Sequence, residues 1–265
     1  MFPAPDNGRP RHRSVCLFGV EVAAVTMAEA TRLVEDAVAR GARMHIGVVN
    51  AAKLVNMQRQ PLLRDAVMAS DVIFADGMSV VWASRLLGSP LPERVAGIDL
   101  MHAMLASGNT HGWRVYCLGG EPAVIEAAAS ALRGAYPGIR FVGWHHGYTA
   151  ADDEPALVAR IAALEPDVLF VGMTSPRKEI FLARWQDILR VPVCHGVGGS
   201  FDIVGGKARR APLAWQRAGL EWLYRVVQEP RRLWRRYLVT NGLFIRMLGI
   251  AMARRAFRAP GWRRG

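Results

Sequence analysis

Short apolar runs recur along the first 206 residues of the chain. They are four to six residues long and rich in Val and Ile, and several are followed by Gly or Asp. Unbroken apolar runs of this length are typical of parallel strands that are buried on both faces. The predicted strands are Val15–Val20, Ile46–Val49, Val72–Ala75, Val115–Leu118, Ile139–Gly143, Val168–Val171 and Val193–Val197.

Longer amphipathic segments separate these runs and predict helices. Two of the segments begin with a proline, Pro61 and Pro122, which suits the first turn of a helix. The alternation of strands and helices predicts an α/β fold, with a doubly wound, mostly parallel sheet covered on both faces. The predicted helices are Met27–Arg40, Pro61–Ala69, Ser79–Leu87, Asp99–Ser107, Pro122–Ala135, Asp152–Leu164 and Glu179–Leu189.

The last 59 residues carry most of the positive charge. From Lys207 onward there are fifteen Lys or Arg side chains against two acids, a net charge of +13. The first 206 residues carry 19 basic and 20 acidic side chains, a net charge of −1. We therefore predict a flexible N-terminus over residues 1–14, an α/β body over 15–206 and a basic amphipathic appendage over 207–265.

The appendage has apolar residues at helical spacing, with arginines beside them and tryptophans at 215, 222 and 234. This pattern is typical of a helix that lies on an anionic membrane. Two alternatives are a packed helical cap whose arginines face solvent and a basic tail that binds nucleic acid. The apolar stripe over Leu243–Met252 argues against a nucleic-acid partner. No run of about 20 apolar residues is present, so no transmembrane segment is expected.

Three places at the ends of predicted strands are candidates for chemistry. Asp76 follows a strand and precedes a helix, where a carboxylate is either a general base or an ordinary helix N-cap. Gly119 and Gly120 stand between a strand and a helix, where backbone amides suit a phosphate, although a tight turn also explains them. The third is the segment GVGGSFD at 196–202, which lacks the dinucleotide-binding glycine pattern and so argues against an oxidoreductase.

Eight motifs along the chain resemble those of the WecG/TagA/CpsF glycosyltransferases, also called glycosyltransferase family 26. The resemblance runs from about residue 15 to residue 240, and the motifs occur in the order of that family. They are NAAKLV, ADGMSVVWASRLLG, ERVAGIDL, LGGEP, YPGIRFVGWHHGY, PDVLFVGMTSPRKE, GVGGSFD and RAPLAWQRAGLEWLYRVVQEPRRLWRRY.

The resemblance implies an inverting, metal-independent transfer from a UDP-sugar to a polyprenyl-diphosphate-linked sugar. The transfer would serve the synthesis of bacterial cell-surface polysaccharide. The resemblance also implies a Rossmann-like body and an appendage that contacts the inner face of the cytoplasmic membrane and helps to complete the active site. No cofactor is expected, because the UDP-sugar is a co-substrate and the chain has no D-x-D metal motif. Whether the protein forms a homo-oligomer stays open.

The same resemblance assigns roles to single residues. Asp76 matches the family's proposed base, which would take the proton of the acceptor hydroxyl. Asn50 matches an asparagine at the preceding strand end, and Arg94 matches a basic position near the pocket. The appendage arginines that would neutralise a diphosphate are Arg225, Arg232 and Arg235.

The donor would bind across the carboxyl ends of the strands. Where family members often have a threonine this chain has Val48, and where they often have a glutamine it has Lys178. A cation near the donor favours an anionic sugar or holds a phosphate, so the donor sugar is not fixed by the resemblance. The expected donor-binding residues besides the appendage arginines are Gly119, Gly120, Tyr148, Lys178, Glu179, Gly198, Gly199 and Asp202.

Overall fold

A computed structural model describes residues 12–258, without the side chains of Arg232 and Arg258. Its strands are β1 Ser14–Leu17, β2 Val20–Ala23, β3 Met44–Val49, β4 Val72–Ala75, β5 Arg114–Gly119, β6 Arg140–His145, β7 Val168–Gly172 and β8 Val193–Gly196. Its helices are α1 Met27–Arg40, α2 Ala51–Met57, α3 Pro61–Met68, α4 Met78–Leu86, α5 Gly97–His111, α6 Pro122–Ala135, α7 Glu154–Ala163, α8 Arg177–Leu189, α9 Ser200–Val204, α10 Leu213–Arg217, α11 Glu221–Gln228 and α12 Pro230–Arg258.

Six of the strands form one parallel sheet in the order β4-β3-β8-β7-β5-β6. Helices α1, α5, α6 and α9 pack on one face of this sheet. Helices α2, α3, α4, α7 and α8 pack on the other. Because both faces are covered, the strands other than the edge strand β6 are almost entirely buried and mostly apolar. The predicted doubly wound, Rossmann-like α/β fold is confirmed.

The prediction that Val15–Val20 forms a strand of the parallel sheet is wrong. Residues 14–23 instead form an antiparallel hairpin, which turns at Phe18 and Gly19 with φ angles of 54° and 79°. Two successive residues with positive φ are typical of a tight hairpin turn. The alternating exposed and buried residues of β1 show that this strand is covered on one face only. Ser14, placed in the flexible N-terminus by the sequence, begins β1, while residues 1–11 lie outside the described part of the chain.

Most predicted helices are present, and α1 and α6 have the predicted bounds. Helix α1 begins with a capping box between Thr26 and Glu29 and ends at Gly41, which has a left-handed conformation. The sequence did not predict α2, because this helix is only seven residues long and shows barely two turns of periodicity. The omission matters for the site, since α2 begins directly after β3.

The appendage packs against the body through α12. Phe244 on α12 is 5% exposed and belongs to the same hydrophobic cluster as α2 and the hairpin. Its ring meets that of Phe18 edge to face, with centroids 5.7 Å apart. At Gly219, which precedes α11, a Cβ atom would lie 2.6 Å from the ring of Trp82 on α4. Body and appendage therefore share core contacts.

Candidate active site

The site forms at the carboxyl edge of the sheet, where the chain leaves neighbouring strands toward opposite faces. After β3 the chain enters α2 on one face, and after the adjacent β8 it enters α9 on the other. In doubly wound sheets such a switch point opens a crevice in which ligands bind. The residues that follow β3 and β4 are Asn50 and Asp76.

Asp76 is partly buried and firmly held. Its Oδ1 accepts a hydrogen bond of 2.8 Å from the N–H of Gly97, the first residue of α5. Its own N–H donates to the carbonyl of Val49 on β3. The N-cap of α4 is Gly77, with no side-chain capping bond, so the interpretation of Asp76 as the cap of the following helix is wrong. Instead, its carboxylate meets the positive end of the α5 dipole.

Asn50 orients its amide toward this carboxylate. Asn50 is the N-cap of α2, and its Oδ1 accepts a hydrogen bond of 3.0 Å from the N–H of Lys53. With the oxygen engaged there, Nδ2 lies 3.4 Å from Oδ2 of Asp76. The capping geometry of α2 therefore sets which end of the amide faces the carboxylate.

A buried cluster of charges lies beside Asp76 on the α8 face of the sheet. Oε1 of Glu179 lies 2.7 Å from Nζ of Lys53 and 2.8 Å from Nζ of Lys178. Burial, together with the charge of Lys53, lowers the pKa of Lys178 to about 8. Burial alone would raise the pKa of Glu179, but the two ammonium groups lower it to about 2. Glu179 thus holds two lysines, and Lys178 interacts electrostatically with Asp76.

The stem of Lys178 depends on the glycine at the end of β8. A Cβ atom at Gly196 would lie 3.1 Å from Cδ and Cε of Lys178. A side chain at 196 would therefore require the stem of Lys178 to shift. The predicted contact of Lys178 and Glu179 with the donor stays a prediction; in the described structure their polar atoms face each other.

Arg94 belongs to a second cluster, which joins body and appendage. It forms ion pairs with Asp99 on α5 and with Glu221 on α11. Arg210, in the segment before α10, pairs with the same two acids, at 2.7 Å from Asp99 and 3.7 Å from Glu221. The N–H of Val95, next to Arg94, donates to the carbonyl of Ala75, so this cluster lies beside the end of β4.

Arg210 is a site residue that the sequence analysis missed. Burial alone would lower the pKa of Arg210, but the hydrogen bond to Asp99 and the charges of Glu221 and Asp76 raise it. Arg210 is therefore an appendage cation that the structure brings into the electrostatic field of Asp76. Arg210 is the first residue of the last family-like motif, but the apolar stripes that predict helices lie after it.

The two glycines at the end of β5 serve close packing. Gly119 has a φ of 135°, and a Cβ atom there would overlap the backbone of Gly172 on β7. The N–H of Gly120 donates to the carbonyl of Gly172, and its carbonyl accepts from the N–H of Gly147. Because the Gly120 amide is engaged within the protein, it is no free donor for a phosphate. A role of this glycine pair in donor binding stays a prediction.

Other predicted site residues are spread more widely. Tyr148 is 65% exposed, and Asp202 lies in the first turn of α9, whose N-cap is Gly199. Gly198 has a φ of 57° in the turn before α9. Arg225 and Arg235 are exposed, and the guanidinium of Arg235 lies 5.4 Å from the ring centroid of Trp234. The side chain of Arg232 lies outside the described residues.

The arrangement around Asp76 suits proton transfer to its carboxylate, next to a bound anionic ligand. Asp76 is fixed by Gly97 at one oxygen, and Asn50 contacts the other only at 3.4 Å. A hydroxyl that enters the crevice can therefore donate to Oδ2. The guanidinium groups of Arg94 and Arg210, which share two carboxylates, lie nearby. Among residues 12–258, no three His, Cys, Asp or Glu side chains form a group that could hold a metal ion.

Comparison with protein families agrees with this geometry. The model of the glycosyl transferase WecG/TagA/CpsF family matches residues 15–258. The match spans the whole parallel sheet, Asp76 and Asn50, both arginines of the second charge cluster, and the appendage through α12. The chain therefore belongs to the WecG/TagA/CpsF family of glycosyltransferases, which act in cell-surface polysaccharide synthesis.

Proposed function

We propose that the protein transfers a hexose or an N-acetylhexosamine, neutral or as its uronate, from a UDP-sugar to a polyprenyl-diphosphate-linked sugar. The observation that supports this most is the position of Asp76. Its carboxylate lies at the switch point of the sheet, with Oδ1 held by Gly97, and an arginine of the body and one of the appendage are paired nearby. A base beside two arginines that could bind a phosphate suits attack by a hydroxyl with departure of a diphosphate.

The proposed reaction is a single displacement. Oδ2 of Asp76 takes the proton of the acceptor hydroxyl as that oxygen bonds to the anomeric carbon of the donor. The bond between the anomeric carbon and the diphosphate oxygen breaks on the opposite face, so the anomeric configuration inverts and UDP leaves. Arg94 and Arg210 would neutralise the charge that develops on the diphosphate, a role that a metal ion has in other transferases. We propose that no metal is needed.

The acceptor lipid requires a membrane, and we propose that the appendage binds one. Within residues 12–258, no helix is long and apolar enough to cross a bilayer. Helices α11 and α12 expose large apolar side chains among exposed arginines, and Leu238 and Ile245 are 67% and 69% exposed. Apolar groups gain little from a hydrated nucleic acid but bury well between lipid headgroups. We therefore favour a peripheral position on the inner face of the cytoplasmic membrane over a nucleic-acid-binding role.

A donor screen tests the function. The protein is mixed with a short-chain polyprenyl-diphosphate sugar and with UDP-glucose, UDP-N-acetylmannosamine or the uronate of the latter, and UDP release is measured. We expect one donor to release UDP only when the acceptor is present, at a rate that EDTA does not change. Loss of activity with EDTA would contradict metal independence. If no donor shows acceptor-dependent release, the proposed donor and acceptor classes are wrong.

Flotation with phosphatidylglycerol vesicles tests whether the appendage binds a membrane. Leu238→Ser should bind about fivefold more weakly than the wild type, because part of the free energy of burying a leucine is lost. Leu62→Ser is the matched control, since Leu62 on α3 is 66% exposed but lies on the body. Added salt should weaken binding, since exposed charges are screened over about 8–10 Å at 0.1–0.15 M. Equal recovery of both variants would contradict a membrane-binding appendage.

A further inference from the structure

A buried histidine lies next to Gly97, the residue that holds the carboxylate of Asp76. His195 on β8 has no exposed surface, and its ring lies edge-on to that of Phe170, with centroids 6.3 Å apart. Its Nε2 is 3.0 Å from the carbonyl oxygen of Gly97. Because a carbonyl oxygen only accepts hydrogen bonds, Nε2 carries the proton and donates it.

Gly97 connects the histidine to the carboxylate. Its carbonyl accepts from His195, and its N–H donates to Oδ1 of Asp76. As the first residue of α5, Gly97 has an N–H with no acceptor inside its own helix. A Cβ atom at 97 would lie 3.7 Å from the His195 ring and 3.8 Å from Oδ1 of Asp76. The two side chains thus flank Gly97 at van der Waals distance from the position of a Cβ atom.

The imidazole is neutral at physiological pH. Burial lowers the pKa of His195 to about 4, although the Gly97 carbonyl and the charge of Asp76 act in the opposite direction. Its Nδ1 is buried and has no hydrogen-bond partner among the described residues. A fully buried, neutral ring does not exchange protons with a substrate. His195 therefore contributes to the site through the hydrogen bond that Nε2 donates to the carbonyl of Gly97.

We propose that His195 is a positioning residue for Asp76, on which it acts through the backbone of Gly97. The histidine holds the carbonyl of Gly97, on one side of its Cα atom, and the N–H on the other side of that atom holds Oδ1, which leaves Oδ2 for the acceptor hydroxyl. This inference rests on the proposed role of Asp76 as the base. It concerns a residue that is separated from the substrate by the backbone of Gly97.

Other groups also face the carboxylate. Asn50 from α2 contacts Oδ2, while Lys178 from α8 and Arg210 from the appendage act on Asp76 through their charges. His195 is neutral, so its replacement leaves these charges in place. What changes is the direction of the Gly97 N–H, a donor that favours the charged carboxylate.

Two amide variants separate positioning from simple packing. His195→Gln places an amide N–H near the position of Nε2 and should keep the bond to Gly97, whereas His195→Asn is too short to reach it. We expect His195→Asn to lower kcat about 10- to 100-fold with little change in the donor KM, because a small misplacement of a reacting group has effects of this size. For His195→Asn, the acid limb of the plot of kcat against pH should move to higher pH. His195→Gln should keep most of the turnover, with an acid limb at the same pH as in the wild type.

Circular dichroism and UDP binding confirm that both variants are folded before their rates are compared. If His195→Asn fails to fold, the tautomer of the wild-type protein decides the question: nitrogen-15 NMR should show a neutral ring protonated at Nε2 between pH 6 and pH 8. Equal rates and equal pH profiles for the two variants, or a ring protonated at Nδ1, would overturn the proposal. If Asp76→Asn keeps full activity, the proposed base is wrong instead, which is a separate result.

Discussion

Asp76→Asn should lower the rate of sugar transfer by about two to four powers of ten, the usual contribution of a general base. Asparagine has nearly the same shape, and its oxygen can still accept the hydrogen bond from Gly97, so the fold and the affinity for UDP should stay close to those of the wild type. An amide does not take a proton from the acceptor hydroxyl. Single-turnover transfer with saturating donor measures this step without interference from product release.

Asp65→Asn is a suitable control for this experiment. Asp65 is exposed on α3, away from the carboxyl edge of the sheet, so its neutralisation changes the net charge equally without changing the site. We expect this variant to transfer at the wild-type rate. An Asp76→Asn protein that keeps more than about a tenth of the wild-type rate would show that Asp76 is not the base.

Arg210→Gln should lower kcat/KM for the donor by about 10- to 100-fold, somewhat less than the usual loss of a charge-stabilising donor. Arg210 shares Asp99 and Glu221 with Arg94, and its removal leaves one cation for two carboxylates. The remaining negative charge would oppose a diphosphate near Asp76. The effect should be measured as UDP release over a range of donor concentrations.

Arg59→Gln is the matched control, because Arg59 is exposed in the loop between α2 and α3. Its rate should stay within about twofold of the wild type, as surface substitutions usually have small effects. Arg210→Gln with the same small effect would exclude Arg210 from donor binding. Deletion from Pro212 onward is a less specific test, because it also uncovers the body residues that pack on Phe244.

The parallel sheet could be predicted because its strands contain short, mostly apolar runs that are separated by helix-length segments. The hairpin at residues 14–23 was misassigned because Phe18 extends the apolar run through the turn, and the exposure of Ser14 and Cys16 appears only in the folded chain. Helix α2 was missed since it is too short to show a clear period. Local pattern therefore predicted the long elements and left out the short ones near the site.

Asp76 could be found because a carboxylate at a strand end stands out against an apolar run. Asn50, Arg94 and Lys178 near it were also named, but His195 and Arg210 could not be found. His195 lies within a mostly apolar segment and looks like a core residue, while Arg210 is one of fifteen basic residues after position 206. The role of each residue depends on a contact that only the folded chain makes. His195 contacts the carbonyl of Gly97, and Arg210 contacts the carboxylate of Asp99.

Hydrogen–deuterium exchange with and without UDP tests most directly whether the donor binds at the carboxyl edge of the sheet. We predict slower exchange in the presence of UDP at residues 50–53, 76–79, 95–99 and 209–211, which surround Asp76 and bring Arg210 to it. A surface groove at the opposite edge of the sheet is lined by residues 162, 165–167, 187–190 and 192 and serves as an internal reference. Protection confined to that groove, with none around Asp76, would contradict the proposed site.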